Sequence, residues 1–211
     1  MPYDQVARHD EDAPPLLRTG TASTAEVLAQ SGFTARAEFG QHFLRSADTA
    51  RRLLDCAELT TATQVLEVGA GLGTLSAAVA ASGCHIWAVE RDVRLGGLLQ
   101  ERLRPFGRRA RITINDVRCI DLDAGLDQDS VLVSILPFDW ELSAALASHV
   151  FTATRKVSRA VVVVPRRTLE DRSAARVDDG LLWEEIDGIS RGEFWPKAPG
   201  TLRVAAIRRR R

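Results

Sequence analysis

Three glycines stand at alternate positions in the segment EVGAGLG, residues 67–73, between a strand-like apolar run and a helix-like run of small residues. Glycine at a strand-to-helix turn allows positive φ angles and lets a ligand approach the backbone closely. The spacing of Gly69, Gly71 and Gly73 is shorter than the G-x-G-x-x-G pattern that holds a dinucleotide pyrophosphate. It is typical of the turn that binds S-adenosylmethionine, which has no pyrophosphate. A tight turn with only a packing role is the alternative.

Two acidic positions strengthen the case for a ligand. Glu90 ends a second strand-like run, CHIWAVE, and an acid there can accept hydrogen bonds from both ribose hydroxyls of a nucleoside. Asn115 and Asp116 follow a third run, ARITI, where a carboxylate can bind the adenine amino group. Because parallel strands end at one edge of a sheet, we expect these polar groups to converge on one site.

The elements that position these residues alternate between strand and helix from residue 64 onward. Predicted strands lie in QVLEVGA, CHIWAVE, ARITIND, VLVSIL and RAVVVVP, and predicted helices in TLSAAVAASG, VRLGGLLQERL and ELSAALASHVFTATR. Such alternation predicts parallel strands joined by helical crossovers. LLWEEIDGIS and TLRVAAIRR are predicted to form a closing antiparallel pair. The fold class is therefore α/β, a Rossmann-like doubly wound sheet that is mostly parallel.

The chain has 211 residues, which fits a single domain of ordinary size. Residues 1–22 are polar and aperiodic, and we expect a disordered or loosely docked arm; residues 23–211 form the predicted domain. Ser23 and Glu26 predict a capping box before a short helix. Ser46 or Asp48 is expected to cap a second helix.

Composition limits the cellular setting and the partners. The formal net charge is zero, so nothing in the overall charge favours nucleic acid or a membrane. Three scattered cysteines without metal-like spacing predict reduced thiols in a cytoplasmic protein and no metal site. No apolar run is long enough to span a bilayer, and the acidic N-terminus is unlike a signal peptide.

The basic residues are clustered and could contact phosphates or simply be solvated. The groups are Arg102, Arg104, Arg108, Arg109 and Arg111; Arg155, Lys156, Arg159, Arg166 and Arg167; and Arg208 to Arg211.

Five motifs in this order, FGQHFL, VLEVGAGLGTLS, VERD, NDV and LPF, resemble those of the rRNA adenine N6-dimethyltransferases. That family includes the small-subunit rRNA dimethyladenosine enzymes and the erythromycin-resistance methylases. The similarity runs from about residue 35 to the C-terminus, where FWPKAPGTLRV is similar to the family's closing segment. The resemblance implies a class I methyltransferase sheet and S-adenosylmethionine as cofactor, with S-adenosylhomocysteine as product.

The resemblance also implies roles for matching residues. Gln41 and His42 would lie against the methionine end of the cofactor, His42 as a cofactor contact and not as a catalytic base. Glu90 would bind the ribose and Asp116 the adenine. The full implied cofactor set is Gln41, His42, Leu44, Glu67, Gly69, Gly71, Gly73, Glu90, Arg91, Asp116 and Val117.

The predicted catalytic turn departs from the family pattern. Where the family has Asn-Leu-Pro-Tyr, this chain has Ile135, Leu136, Pro137 and Phe138. In the family the Asn oxygen and the next residue's carbonyl orient the target amine, while the ring stacks on the flipped-out base. The Leu136 carbonyl and the Phe138 ring can still do this, but Ile135 has no lone pair. By analogy with oxyanion-hole groups, losing this acceptor would cost about 2–4 kcal/mol, or about two to three decades in rate.

Three interpretations follow. The chain is an RNA-directed adenine methyltransferase that tolerates Ile135, a methyltransferase retargeted to a small molecule, or a cofactor-binding scaffold without catalysis. Too few residues follow the closing strands to build the helical domain that the family normally adds. Asp139 could offer an acceptor from a new direction or be a solvated charge, and Trp140 could wall a pocket or simply pack.

Overall fold

The computed structural model describes residues 23–36, 39–174 and 180–210, with only the backbone for residues 172–174. The predicted arm, residues 1–22, lies outside the described residues. The α-helices are α1 (Thr24–Ser31), α2 (Ala47–Ala57), α3 (Thr74–Ala81), α4 (Gly96–Leu103), α5 (Leu122–Gly125), α6 (Trp140–Ala153) and α7 (Arg166–Ala174). The strands are β1 (Phe43–Leu44), β2 (Gln64–Val68), β3 (His85–Glu90), β4 (Ala110–Ile114), β5 (Ser130–Ile135), β6 (Val157–Pro165), β7 (Leu181–Ile189), β8 (Phe194–Trp195) and β9 (Leu202–Arg209).

Seven strands form one sheet in the order β4-β3-β2-β5-β6-β9-β7. The pairs from β4 to β6 are parallel, whereas β9 is antiparallel to both β6 and β7. This confirms the predicted mostly parallel α/β sheet and its closing antiparallel pair, with β9 inserted between β6 and the edge strand β7. The strand order reverses at β2, which is where ligands bind in open sheets of this kind.

Helices cover both faces of the sheet, so the central strands are apolar on both sides. In β6, Val161 and Val163 belong to the core under α2 and α3, while Val162 and Val164 belong to the core under α6. This explains the unbroken apolar run that predicted a central strand.

The helix starts follow the predicted capping chemistry. Ser23 and Glu26 form the capping box of α1. Ser46 caps α2 by accepting a hydrogen bond from the Thr49 backbone N–H, whereas Asp48 pairs with Arg51. Short elements without a periodic signal were not predicted: β1, β8 and α5.

Several members of the predicted basic clusters have structural roles. Lys156 Nζ donates to carbonyls at the end of α5, at 2.6 and 2.8 Å. The Arg159 guanidinium donates to the last carbonyls of α2, and the Arg209 guanidinium to those of α6. Positive groups at helix C-termini satisfy free carbonyls and complement the helix dipole.

Within the described ranges, no helix combines the length and apolarity needed to cross a bilayer. The same part of the chain holds no group of His, Cys, Asp and Glu side chains suited to a metal ion.

Candidate active site

A cavity opens at the carboxyl ends of β2, β3, β4 and β5, with about 890 Å³ of space including its part open to solvent. Most of the residues predicted for the site line it: Gln41, His42, Gly69, Gly71, Glu90, Arg91, Asp116, Val117, Ile135, Leu136, Pro137 and Phe138. The structure thus brings the motifs from five separate segments to one place.

The glycine turn adopts the backbone that its spacing predicted. Gly69, Gly71 and Gly73 have φ angles of 81°, 58° and 74°. A side chain at Gly71 would come within 3.1 Å of the Phe43 ring, and one at Gly73 within 2.7 Å of the Leu99 side chain. Gly69 and Gly71 face the cavity, whereas Gly73 lies outside its lining and allows α4 to pack closely.

Glu90 ties the glycine turn to the end of β3. One carboxylate oxygen accepts the Gly71 N–H at 2.8 Å, and the other accepts the Asp92 N–H at 2.7 Å. Burial raises the pKa of the Glu90 carboxyl, and these backbone hydrogen bonds oppose that rise. A carboxylate has about four acceptor positions, so Glu90 can still accept hydroxyls of a ligand in the cavity.

Asp116 is a firmly ionised group just after the neighbouring strand, β4. Hydrogen bonds from the Arg118 side chain lower the pKa of Asp116 to about 2, and Arg91 adds to the effect. Asp116 accepts from Arg118 Nε at 2.9 Å and from Nη2 at 2.6 Å. Beside it, Val117 is buried and lines the cavity, so this wall combines a negative charge with an apolar surface.

Leu44 and Glu67, which the resemblance placed in the cofactor set, lie outside the cavity lining, as Gly73 does. Leu44 is a buried core residue of β1. Glu67 is 2% exposed in β2 and accepts a hydrogen bond from the Ser76 hydroxyl in the first turn of α3. Burial raises the pKa of Glu67 to about 8. In this structure both residues support the turn from beneath.

Gln41 fastens the FGQHFL segment to the end of β3. Its side-chain nitrogen donates to the Asp92 carboxylate at 2.6 Å, and its oxygen accepts the Arg36 N–H at 2.8 Å. Asp92 is buried and also binds the Arg94 guanidinium at 2.6 Å. Since both ends of the Gln41 amide are occupied, this residue positions the segment that closes the cavity.

The predicted catalytic turn follows β5 directly. Ile135 is the last residue of β5 and half-buried, and the Leu136 N–H donates to the Val163 carbonyl at 3.1 Å. Pro137 packs close to Gly40, where a Cβ would meet the proline ring at 3.3 Å. The turn and the FGQHFL segment therefore form adjoining walls of the cavity.

The Phe138 ring is held by His42 and by Phe194, and sequence reasoning did not assign Phe194 to the site. Phe194 contacts it edge to face, with ring centroids 5.1 Å apart, and His42 lies 5.3 Å away at an angle of 32°. Strand β8 brings Phe194 here by pairing with β1. The similarity of FWPKAPGTLRV to the family's closing segment was the one signal, and it gave no spatial information.

Phe39, at the cavity, lies among three guanidinium groups. Arg91, Arg94 and Arg36 approach its ring at 4.7, 5.8 and 6.0 Å from the centroid. The predicted basic clusters did not include these arginines, because they are dispersed in the sequence.

Asp139 and Trp140 do not line the cavity. Asp139 caps α6 by accepting the Leu142 N–H at 2.8 Å. The Trp140 ring lies under the Arg167 guanidinium, 5.1 Å from its centroid. Asp139 is therefore a helix cap, and Trp140 packs.

Comparisons with known proteins identify the family of the chain. A family profile described as ribosomal RNA adenine dimethylase matches residues 32–179. "Ribosomal RNA small subunit methyltransferase A" from Geobacillus sp. (strain WCH70) is 30% identical over 188 residues, which cover 85% of this chain and 63% of that protein. The protein of the same name from Acidothermus cellulolyticus is 29% identical over 90% of this chain and 69% of its own length. The chain thus spans less than two thirds of the Geobacillus relative.

Solved structures share the fold. The 23S rRNA methyltransferase ErmE superposes with a TM-score of 0.64 at 21% identity, covering 80% of this chain and 70% of that one. A dimethyladenosine transferase from Plasmodium falciparum gives 0.65 at 15% identity, covering 80% of this chain and 64% of that one. From the profile match over most of its length, together with the cavity that its motifs build, the chain belongs to the ribosomal RNA adenine dimethylase family.

Proposed function

We propose that the protein is an S-adenosylmethionine-dependent methyltransferase that methylates N6 of adenine in RNA. The observation that carries the proposal is the cavity itself. A glycine turn, a carboxylate ending β3 and an ionised carboxylate after β4 line one side, and the turn with Phe138 lines the other. The names of the relatives support the same reaction class.

The residues present fit the cofactor. Glu90 has acceptor positions left for ribose hydroxyls, Asp116 offers an ionised carboxylate for an adenine amino group, and Leu95 and Val117 offer apolar contact to a base. Gly69 leaves room for a ligand against the backbone, since a Cβ there would meet only the Ile135 carbonyl oxygen, at 3.8 Å. When bound there, S-adenosylmethionine supplies a methyl group on a positively charged sulfur.

The chain's own contribution at the acceptor is alignment. The acceptor nitrogen would have to be held with its lone pair towards the methyl group that bound S-adenosylmethionine would supply, with its proton free to leave for solvent. Phe138 offers a ring for stacking and Leu136 a carbonyl for the N–H. The Ile135 side chain offers no acceptor, which would lower the rate by about two to three decades unless another side chain supplies one.

The RNA strand is proposed to enter beside Phe39. Its ring, with Arg91 and Arg94 close by, combines stacking and positive charge, as in proteins that bind single-stranded nucleic acid. The exposed arginines of the basic clusters remain candidates for contacts to more distant phosphates. Those that hold helix ends, such as Arg159 and Arg209, contribute less.

A second candidate is methylation of a small molecule. The acceptor side of the cavity is apolar, with Ile135, Pro137, Leu142 and Leu146 in its lining. An oxygen or carbon nucleophile needs no amine-orienting Asn. The test below also separates this candidate from a cofactor-binding scaffold.

The test is methyl transfer from labelled S-adenosylmethionine to naked rRNA and to ribosomal subunits. Native protein is compared with Ile135→Asn and with Ile135→Val, the matched control that changes the side chain without adding an acceptor. Labelled N6-methyladenine with the native protein, raised by Asn and not by Val, supports the proposal. Cofactor binding without RNA labelling by any variant contradicts the proposal and makes small molecules the next acceptors to test. If no small molecule is labelled either, the cofactor-binding scaffold without catalysis is the remaining interpretation.

A further inference from the structure

We propose that His42 supplies, through an unprotonated Nε2, the hydrogen-bond acceptor for the methyl-accepting group that Ile135 cannot provide. This inference rests on the proposed function and names a further residue that orients its substrate. It assigns His42 the role of an acceptor that touches substrate, in addition to lining the cofactor cavity.

The hydrogen bond at Nδ1 determines which ring nitrogen carries the proton. Nδ1 lies 2.8 Å from the Pro196 carbonyl oxygen. A carbonyl oxygen only accepts, so Nδ1 must be the donor, and in the neutral ring Nε2 is then the acceptor. Among the described residues, no group hydrogen-bonds to Nε2. The imidazole therefore keeps one acceptor available.

The position of the ring is the second argument. His42 and Ile135 both line the cavity, and the imidazole lies 5.3 Å from the Phe138 ring, centroid to centroid. A planar group held against Phe138 would therefore lie in the same part of the cavity as the imidazole. The Ile135 side chain offers only carbon. His42 is a cavity side chain near Phe138 that can accept an N–H and has this capacity unused.

The ring is also held in place, as an orienting group must be. His42 directly precedes β1, in which Phe43 pairs with Trp195, so the Pro196 carbonyl follows the paired strand. On the preceding side, Gln41 is anchored to Asp92 at 2.6 Å. The two anchors limit motion of the intervening residue, and the Pro196 hydrogen bond limits rotation of its ring.

Two substitutions of His42 distinguish the role of Nδ1 from the role of Nε2. In His42→Asn the amide nitrogen can replace Nδ1 as donor to Pro196, but nothing replaces Nε2. In His42→Gln the longer side chain can place its oxygen near the position of Nε2, but the Nδ1 donor is lost. A purely structural role predicts that Asn is the better substitute, whereas an acceptor role predicts that Gln is.

The experiment measures kcat and KM for RNA methylation, with cofactor affinity determined by calorimetry. We expect His42→Asn to lower kcat by about 10- to 100-fold with an unchanged cofactor Kd, and His42→Gln to recover most of that loss. In an Ile135→Asn background the same His42→Asn change should cost less than about threefold, because the acceptor is restored. An undiminished kcat in His42→Asn, or a loss explained by weaker cofactor binding, overturns the inference.

Two further readouts distinguish this failure from failure of the proposed function. If Ile135→Asn labels adenine while the native protein does not, the proposed site stands and His42 does not replace the missing acceptor. If neither labels RNA, the proposed function fails and the inference fails with it. Independently of activity, long-range ¹H–¹⁵N NMR of neutral His42 should show a protonated Nδ1 and a bare Nε2; the reverse tautomer refutes the argument.

Discussion

Glu67 is a buried carboxyl group with no cationic partner among the described residues, which makes stability depend on pH in a predictable direction. It is 2% exposed beneath the glycine turn. Burial raises its pKa from 4.5 to about 8, the Ser76 hydroxyl partly offsets this, and the nearby Glu90 adds to it. The folded protein thus holds a proton on Glu67 at neutral pH that the unfolded chain releases.

The sign follows from that difference. The native state binds the proton more tightly than the unfolded state, so the full contribution is present below the unfolded pKa and is lost as pH rises through the folded one. At pH 7, which lies between the unfolded pKa of 4.5 and the folded pKa of about 8, the loss of folding stability is about 3 kcal/mol, at 1.36 kcal/mol per pH unit above the unfolded pKa. Such a loss is a large share of the stability of a domain.

The substitution that tests this is Glu67→Gln, which keeps an oxygen to accept from Ser76 but cannot ionise. Urea unfolding of both proteins should give similar midpoints near pH 4, below the unfolded pKa of 4.5. At pH 7 the variant should be more stable by about 3 kcal/mol, a midpoint shift of roughly 1–3 M urea at ordinary slopes. The slope of the unfolding free energy against urea concentration should be the same for both proteins.

Glu184→Gln, at an exposed position of β7, is the control and should show no growing advantage with pH. A stability difference between Glu67→Gln and native protein that is the same at pH 5 and pH 8 would refute the reasoning. It would mean that Glu67 is not held protonated by burial.

Two further substitutions test the site and its support. Gly71→Val should abolish S-adenosylmethionine binding in calorimetry while circular dichroism shows a folded protein, because φ is 58° there and a side chain would contact Phe43; retained affinity would place the cofactor elsewhere. Asp139→Ala should lower the free energy of unfolding by about 1 kcal/mol through loss of the α6 cap. If it instead lowered methyl transfer at unchanged stability, Asp139 would act on the acceptor after all.

The succession of strands and helices along the chain could be predicted because turn residues and apolar periodicity are local properties of the sequence. Alternating turns and apolar runs predicted the strands from β2 to β7 and the helices α3, α4 and α6. Glycine spacing predicted positive φ angles at Gly69 and Gly71. The two-residue strands β1 and β8 could not be predicted, since so short an element has no periodicity. The roles of Arg159 and Arg209 at helix ends could not be predicted either, because the sequence around a long side chain does not show which distant carbonyl it will contact.

By itself, the sequence determined the fold class, the cofactor turn and the replacement of Asn by Ile135, because each depends on residue type and neighbouring spacing. Only the tertiary structure decided what surrounds Phe138 and which nitrogen of His42 carries its proton. The contact that settles the latter joins residues 154 positions apart. Pairing of β1 with β8 creates it, and no local rule predicts a pairing between segments so far apart in the sequence.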